Sequence, residues 1–390
     1  MTTDDAGIGR QVRRFRLAGG MSQQQLADAA GLSQPFISKI ESLKKPVTSR
    51  HTLLALAEAL HVPSQELLGI PLPASTREDL VSLSAVAGIR AALDYPDEPV
   101  IWRPRRELVV LARTIMAARM ACDYGLISAG LPALLAETRA AHDAGHRWAG
   151  PLLVRGLVAG SLTLRPIGWQ DLAMRLAEAA RRVATDTGHA DDYAAAEFAY
   201  AQALLASGSR RRARSVAVQA ADALPPTERV WAGMLHLHAG LCASSAGEQG
   251  GAASHFEQAE TLAATPGDEV DPWLMEFTRD NVRTWRIAGA LEANGTDPDR
   301  AVNLSLQVNR THLVTRQRAS RFDMDAGRAW YLAGKPERAV AFFLRAHEVA
   351  PQETRTRSSV REIVGQMQRD ARGGGSAELR RLVQAMGVAA

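Results

Sequence analysis

Between Ile8 and Leu68, apolar residues recur at helical spacing in five short bursts, each bounded by glycine, serine or proline. Ile8, Val12, Phe15 and Leu17 predict one apolar face, which Gly19 and Gly20 stop. Ser22, with Gln25 three residues on, reads as a capping box opening a second helix. Its Leu26, Ala27 and Ala30 face inward, and Gly31 ends it. Ser33 caps a third helix, with Pro35 in the first turn, where a missing N–H costs nothing, and Ile37 and Ile40 toward the core. Ser49 caps a fourth, with Leu53, Leu56, Ala57 and Leu60 inward, and Pro63 and Ser64 open a short fifth that ends near Leu68. Residues 69–78 carry two prolines that forbid a continuous helix, so they read as a semi-rigid linker.

From residue 79 to 390 the pattern changes to a repeat. Gly208, Ala213 and Ala220 recur as Gly247, Ala252 and Ala259, as Gly334, Ala339 and Ala346, and as Gly168, Ala173 and Ala180. Each unit places glycine in a turn and alanine where two helices approach closely. Gly130 and Gly295 mark weaker copies. A period of about 40 residues is typical of stacked helix pairs, which curve and present a concave groove. The repeat pattern puts Phe198, Gln202, Trp285, Arg321 and Arg328 on the first helices of the pairs, facing that groove. Trp285 could hold an apolar group there and the arginines a carboxylate. The run "SRRRAR" at 209–214 reads as an exposed turn.

The second and third helices, joined at Gly31, form a helix-turn-helix, whose second member enters the major groove of DNA. With Ile37 and Ile40 buried, Gln34, Pro35, Phe36, Ser38 and Lys39 project outward from it, together with Ser33 at its start. Glutamine suits adenine, lysine reaches guanine acceptors, and an apolar ring can rest on a thymine methyl. Ser22 and Gln23, at the start of the preceding helix, are placed to bond phosphate, and Lys44 and Lys45 to lie along the backbone.

Charge sharpens this picture. The chain carries +4 overall, but residues 8–50 carry +6 and the remainder −2. A local excess of this size beside a compact helical pattern points to a polyanion. With 390 residues, 46% hydrophobic and 23% charged, the chain is an ordinary globular one of two or more domains. Cys122 and Cys242 lack partner spacing, which argues against a disulfide framework or zinc site and fits a reducing cytoplasm. The first thirty residues have no apolar signal-peptide core, and no uncharged apolar run reaches membrane-spanning length. Phosphate-loop, dinucleotide and H-E-x-x-H patterns are missing, so neither enzyme chemistry, a cofactor nor a metal is expected. His236 and His238, two apart on a helix, point apart.

"SQQQLADAAGLSQPFISKIE", followed by "HTLLALAEALHVPSQELL", resembles the lambda-repressor-like helix-turn-helix family, often called XRE. The likeness spans Ile8 to Leu68. It implies that Glu41 closes the recognition helix as a structural residue. It departs at Ser42-Leu43-Lys44, where many members carry a polar residue and glycine. The remainder resembles tetratricopeptide repeats, and related peptide-sensing regulators use the groove for short peptides.

The expectation is an all-α chain, with a five-helix lambda-repressor-like helix-turn-helix domain at 1–68 followed by a tetratricopeptide-like α-solenoid at 79–390. Its function would be sequence-specific transcription regulation in the cytoplasm. Its partners would be a double-stranded DNA operator, a second copy of the chain, and a small peptide or small-molecule effector, with no membrane. The alternative is an interaction scaffold that docks a partner protein and uses the helix-turn-helix only for location.

Overall fold

The computed structural model describes residues 7–69, 77–94, 100–264, 273–293, 296–371 and 375–388. Residues 70–76 of the expected linker and the weak repeat at Gly295 lie outside them. Every regular element among the described residues is a helix.

The amino-terminal head consists of α1 (Ile8–Ala18), α2 (Gln23–Ala30), α3 (Gln34–Glu41), α4 (Arg50–Ala59) and α5 (Ser64–Leu68). Two of the three expected serine caps are made. Ser22 Oγ accepts the Gln25 N–H while Gln25 Oε1 accepts the Ser22 N–H, closing the capping box. Ser49 Oγ accepts the Thr52 N–H. Ser33 occupies the N-cap of α3 but makes no capping bond, which leaves its hydroxyl exposed. Val12, Leu26, Ile37, Ile40, Leu56 and Leu67 meet in one core.

Leu17 does not join that core; it is 59% exposed. Along α1 the inward stripe runs at i+4 steps from Ile8 to Val12 to Arg16, and Arg16 takes the position as half of a buried ion pair. On α4, Leu53 and Leu60 are only half-buried, whereas Leu54 is buried and faces the α11–α12 turn at Gly208. Leu43 has φ 56°, a left-handed conformation that glycine adopts at less cost.

The rest of the chain is a curved stack of helix pairs. After α6 (Arg77–Asp94) come α7 (Arg105–Ala121) and α8 (Tyr124–Asp143), then α9 (Ala149–Leu164) and α10 (Gln170–Thr187). Next are α11 (Ala190–Ala206) with α12 (Arg210–Ala223), and α13 (Arg229–Ala246) with α14 (Gln249–Ala263). Then follow α15 (Arg279–Glu292) with α16 (Pro298–Leu306) and α17 (Arg316–Leu332) with α18 (Pro336–Val349). Short α19 (Pro351–Thr356), α20 (Ser358–Asp370) and α21 (Ala377–Met386) finish the chain.

Four of the repeat glycines, Gly168, Gly208, Gly247 and Gly334, stand in the turns of their pairs, with φ of 102, 92, 81 and 74°. Only glycine adopts such angles freely, so the repeat spacing fixes where each pair folds back. The alanines that follow them are buried, as expected. Gly130 is not a turn. α8 runs through it and through Pro132, and the chain reverses instead at Cys122, the left-handed C-cap of α7. A Cβ at Gly130 would lie 3.0 Å from Leu111 Cδ1, so its smallness serves the contact of α8 with α7.

The inner helices α7, α9, α11, α13, α15 and α17 pack each on the next, and α17 packs back on α7. The curve therefore closes. Tyr124 donates its hydroxyl to Glu353, and its N–H to Gln352 Oε1, sealing the seam. The open groove expected from the repeat pattern is instead a ring around a central space.

The head sits at one end of this ring. Arg50 N–H donates to Glu292, Arg328 Nη2 donates to the Thr48 carbonyl at 2.7 Å, and Ile8 N–H to Glu362 Oε1 at 3.0 Å. Arg210 donates to the Ser245 carbonyl at 3.0 Å and lies 3.9 Å from Glu58. The basic run at 209–214 is thus no free turn; its first arginine opens α12 and faces the head.

Candidate nucleic-acid interface and central cavity

At the outer side of the head, one hydrogen-bonded chain sets the register of α2 and α3. Arg16 donates from Nε to Glu41 Oε1 at 2.5 Å and from Nη2 to Oε2 at 2.9 Å. Its Nη1 also donates to the Met21 carbonyl at 2.7 Å. Glu41 accepts the Gln23 amide at 2.9 Å, and Gln23 in turn accepts the Gln34 amide at 2.9 Å. Burial of Glu41, one side chain touching α1, α2 and the end of α3, agrees with its expected structural role.

This chain brings Gln23 and Gln34 side by side at the amino ends of two helices. Pro35 and Lys39 are exposed beside them, and Ser33 with them, while Ser38 is half-buried. Phe36 is less free than expected. It is half-buried against the head core, and Lys45 Nζ lies 4.6 Å from its ring centroid. Lys44 and Lys45 are exposed, and both direct their N–H groups to the Lys39 carbonyl, which turns the chain tightly after α3. Ser22, exposed at the start of α2, uses its hydroxyl on its own helix.

The sequence reading left out a further basic group. Arg10, Arg13 and Arg14 are exposed along α1 and share a surface groove with Ser42 and Leu43. Their share of the +6 was the available signal. The head residues that line the space facing the ring come from α1, α4, α5 and the stretch before α4, and none from α2 or α3.

Phe198, Gln202, Trp285 and Arg321 do converge, on a cavity of about 90 Å³ within the ring. Arg328 does not line it. Its guanidinium is fully buried and bonded to Asp325, Glu292 and the Thr48 carbonyl, so it ties α15 and α17 to the head and is unavailable to a ligand. Arg321 is ion-paired with Glu353. The arginines at 119, 165, 318 and 357, together with Arg50 of the head, were not anticipated around this space. They come from separate elements, so no spacing in the sequence announces them, although Arg318 stands one helical turn before Arg321. His238, behind Phe198 and Trp285, is fully buried, and that burial pushes its imidazole down to about 3.

Residues 12–67 match the family model described as helix-turn-helix. No curated protein matches the chain. Among solved structures, PlcR of Bacillus thuringiensis, in complex with the peptide PapR7 and DNA, is similar at 14% identity and a TM-score of 0.30. That match covers 66% of this chain and 94% of PlcR. A PrgX mutant is similar at 10% identity and a TM-score of 0.24, covering 89% of this chain and 95% of that one. Both likenesses are distant. No described helix is long and apolar enough to cross a membrane.

Proposed function

We propose that this chain is a sequence-specific, DNA-binding transcription regulator whose head reads an operator while its ring of helices takes an effector. The observation that carries this reading is the outward face of α3. Gln34 and Lys39 stand at its accessible side, Gln23 is held beside them through Glu41, and the head meets the ring by its other helices. Gln34 and Lys39 read base edges, with Pro35, Phe36, Ser33 and Ser38 against the groove wall. Ser22, Gln23, Lys44 and Lys45 hold the phosphates.

One such head has a small footprint. We therefore assign the working form as a homodimer, on an inverted repeat with half-sites about 10–10.5 base pairs apart or a multiple of that. The ring, residues 79–390, supplies the dimer contact and the effector site, and the protein works in the cytoplasm.

The test is operator selection with the full chain, followed by single-base changes in the selected site. Gln34→Ala and Lys39→Ala each cost about 1–3 kcal/mol and relax preference at particular positions. Lys44→Ala weakens all sequences alike and flattens the salt dependence. A uniform loss for both Gln34→Ala and Lys39→Ala overturns their assignment as base readers.

A further inference from the structure

The central cavity has an unbalanced charge. Its nearby carboxylates are already engaged. Glu292 and Asp325 hold Arg328, and Glu353 holds Arg321 and the Tyr124 hydroxyl. Glu276 accepts the Val314 and Thr315 N–H groups at 3.0 and 2.9 Å and the Thr315 hydroxyl at 2.7 Å. The guanidinium groups of Arg165 and Arg318, by contrast, have no hydrogen-bond or ion-pair partner among the described residues. Both line the cavity, and Arg318 is only 9% exposed. Arg357 reaches Asp325 only at 3.8 Å.

The wall carries further unmet donors. Nε of Arg318 and of Arg321 and Nε1 of Trp285 are buried without a partner. Isolated buried cations are costly, and a native chain keeps them only where something neutralises them. Burial and the neighbouring guanidinium groups push Arg318 down to about 10 and Arg165 to about 9, so both remain charged at neutral pH. Guanidinium forks from different helices pointing into one small space match an oxyanion that takes several two-pronged hydrogen bonds.

We infer that the cavity is a binding site for a small, multiply charged oxyanion, a phosphate or carboxylate group of a metabolite, held by Arg318 and Arg165 with Trp285 against it. Charge supports an anionic group here: Arg165, Arg318 and Arg357 line a half-open space of about 90 Å³, and neither Arg165 nor Arg318 has a carboxylate of its own. The head takes part. Arg50, whose N–H is bound to Glu292, lines the same space, so an anion there bridges ring and head. Binding then favours the docked position of the head and biases how two heads are presented to an operator. This inference rests on the reading that the ring takes an effector and narrows its chemistry from a carboxylate-ended peptide to a compact polyanion.

The experiment uses the full chain and three probes, inorganic phosphate, pyrophosphate and citrate, each against chloride at matched ionic strength. The expected result is a saturable rise of several degrees in Tm with at least one probe. Pyrophosphate acting alone marks a phosphate ligand, and citrate acting alone a polycarboxylate. Arg318→Met and Arg165→Met abolish the rise. Arg318→Met also raises the Tm of the chain without anion, because it removes a buried charge that has no ion-pair partner; a merely structural arginine would lower it. The proposal is overturned if no probe exceeds its chloride control, if the rise survives both substitutions, or if Arg318→Met melts lower without anion. A deproteinised cell extract separates the two levels. If it raises Tm where all three probes fail, the effector reading stands and the polyanion class falls. If it too fails, both fall.

Discussion

Arg16 in the head and Arg318 in the ring are both buried arginines, yet their surroundings are opposite. Arg16 meets both oxygens of Glu41 and a main-chain carbonyl. Arg318 meets the face of Trp285, its guanidinium carbon 5.7 Å from the ring centroid, among other arginines. The head uses its buried charge to fix geometry, since Glu41 also holds Gln23 and, through it, Gln34. The ring leaves the guanidinium groups of Arg165 and Arg318 without carboxylate partners at its cavity. Packing differs likewise. In the head, α1 lies against main chain, whereas the ring fits glycines around aromatic rings; Gly240 and Gly289 both lie against Phe256.

The largest effect that would sharpen this contrast is at Glu41. Glu41→Ala leaves the Arg16 charge buried and alone, a change that costs about 3–5 kcal/mol. It also releases Gln23 and Gln34, so operator binding falls in step with head stability. Urea melts of the head signal, followed by operator titration, check both. Loss of stability with undiminished binding would show that the ion pair does not set the readout face.

Next in size is Gly9. A Cβ there would lie 2.1 Å from the Ile40 carbonyl oxygen, which is main chain and cannot swing aside. Gly9→Ala therefore costs about 1–3 kcal/mol by overpacking and pushes α1 off the end of α3. Thermal melts are sufficient. A neutral outcome would mean that the approach of α1 to α3 is looser than that of the ring helices.

The third effect belongs to the ring and depends on pH. His238 is neutral when folded and protonates near its ordinary value of 6.5 when unfolded. A base whose folded value is depressed gives stability that is complete above 6.5 and lost as pH falls below it, at about 1.4 kcal/mol per unit. By pH 5.5 the loss is about 1.4 kcal/mol on the same arithmetic. Denaturant melts at pH 7.5 and 5.5 should show His238→Gln with a smaller difference than the parent. Equal differences would place the imidazole in contact with water.

Much of the local structure was legible in the chain. Ser22 with Gln25, and Ser49, announce helix starts because capping is satisfied within four residues. The glycines at 168, 208, 247 and 334 announce turns because a left-handed φ is a local demand. Where a residue's place depends on its neighbours' choices, the reading failed. Leu17 lost its inward position to Arg16, whose partner lies on α3, and Gly130 proved to be a helix contact.

The sequence by itself determined an all-helical chain, a basic amino-terminal head with a defined outward face on α3, and a repeated helix pair behind it. Only the tertiary structure decided that the repeats close into a ring, that the head covers one end, and which arginines find carboxylates. Caps and turns are settled within a few residues. Ring closure joins Tyr124 to Glu353, and the partition of charge joins Thr48, Glu292 and Arg328. Partners so far apart in the chain meet only after the curvature of every intervening pair has added up.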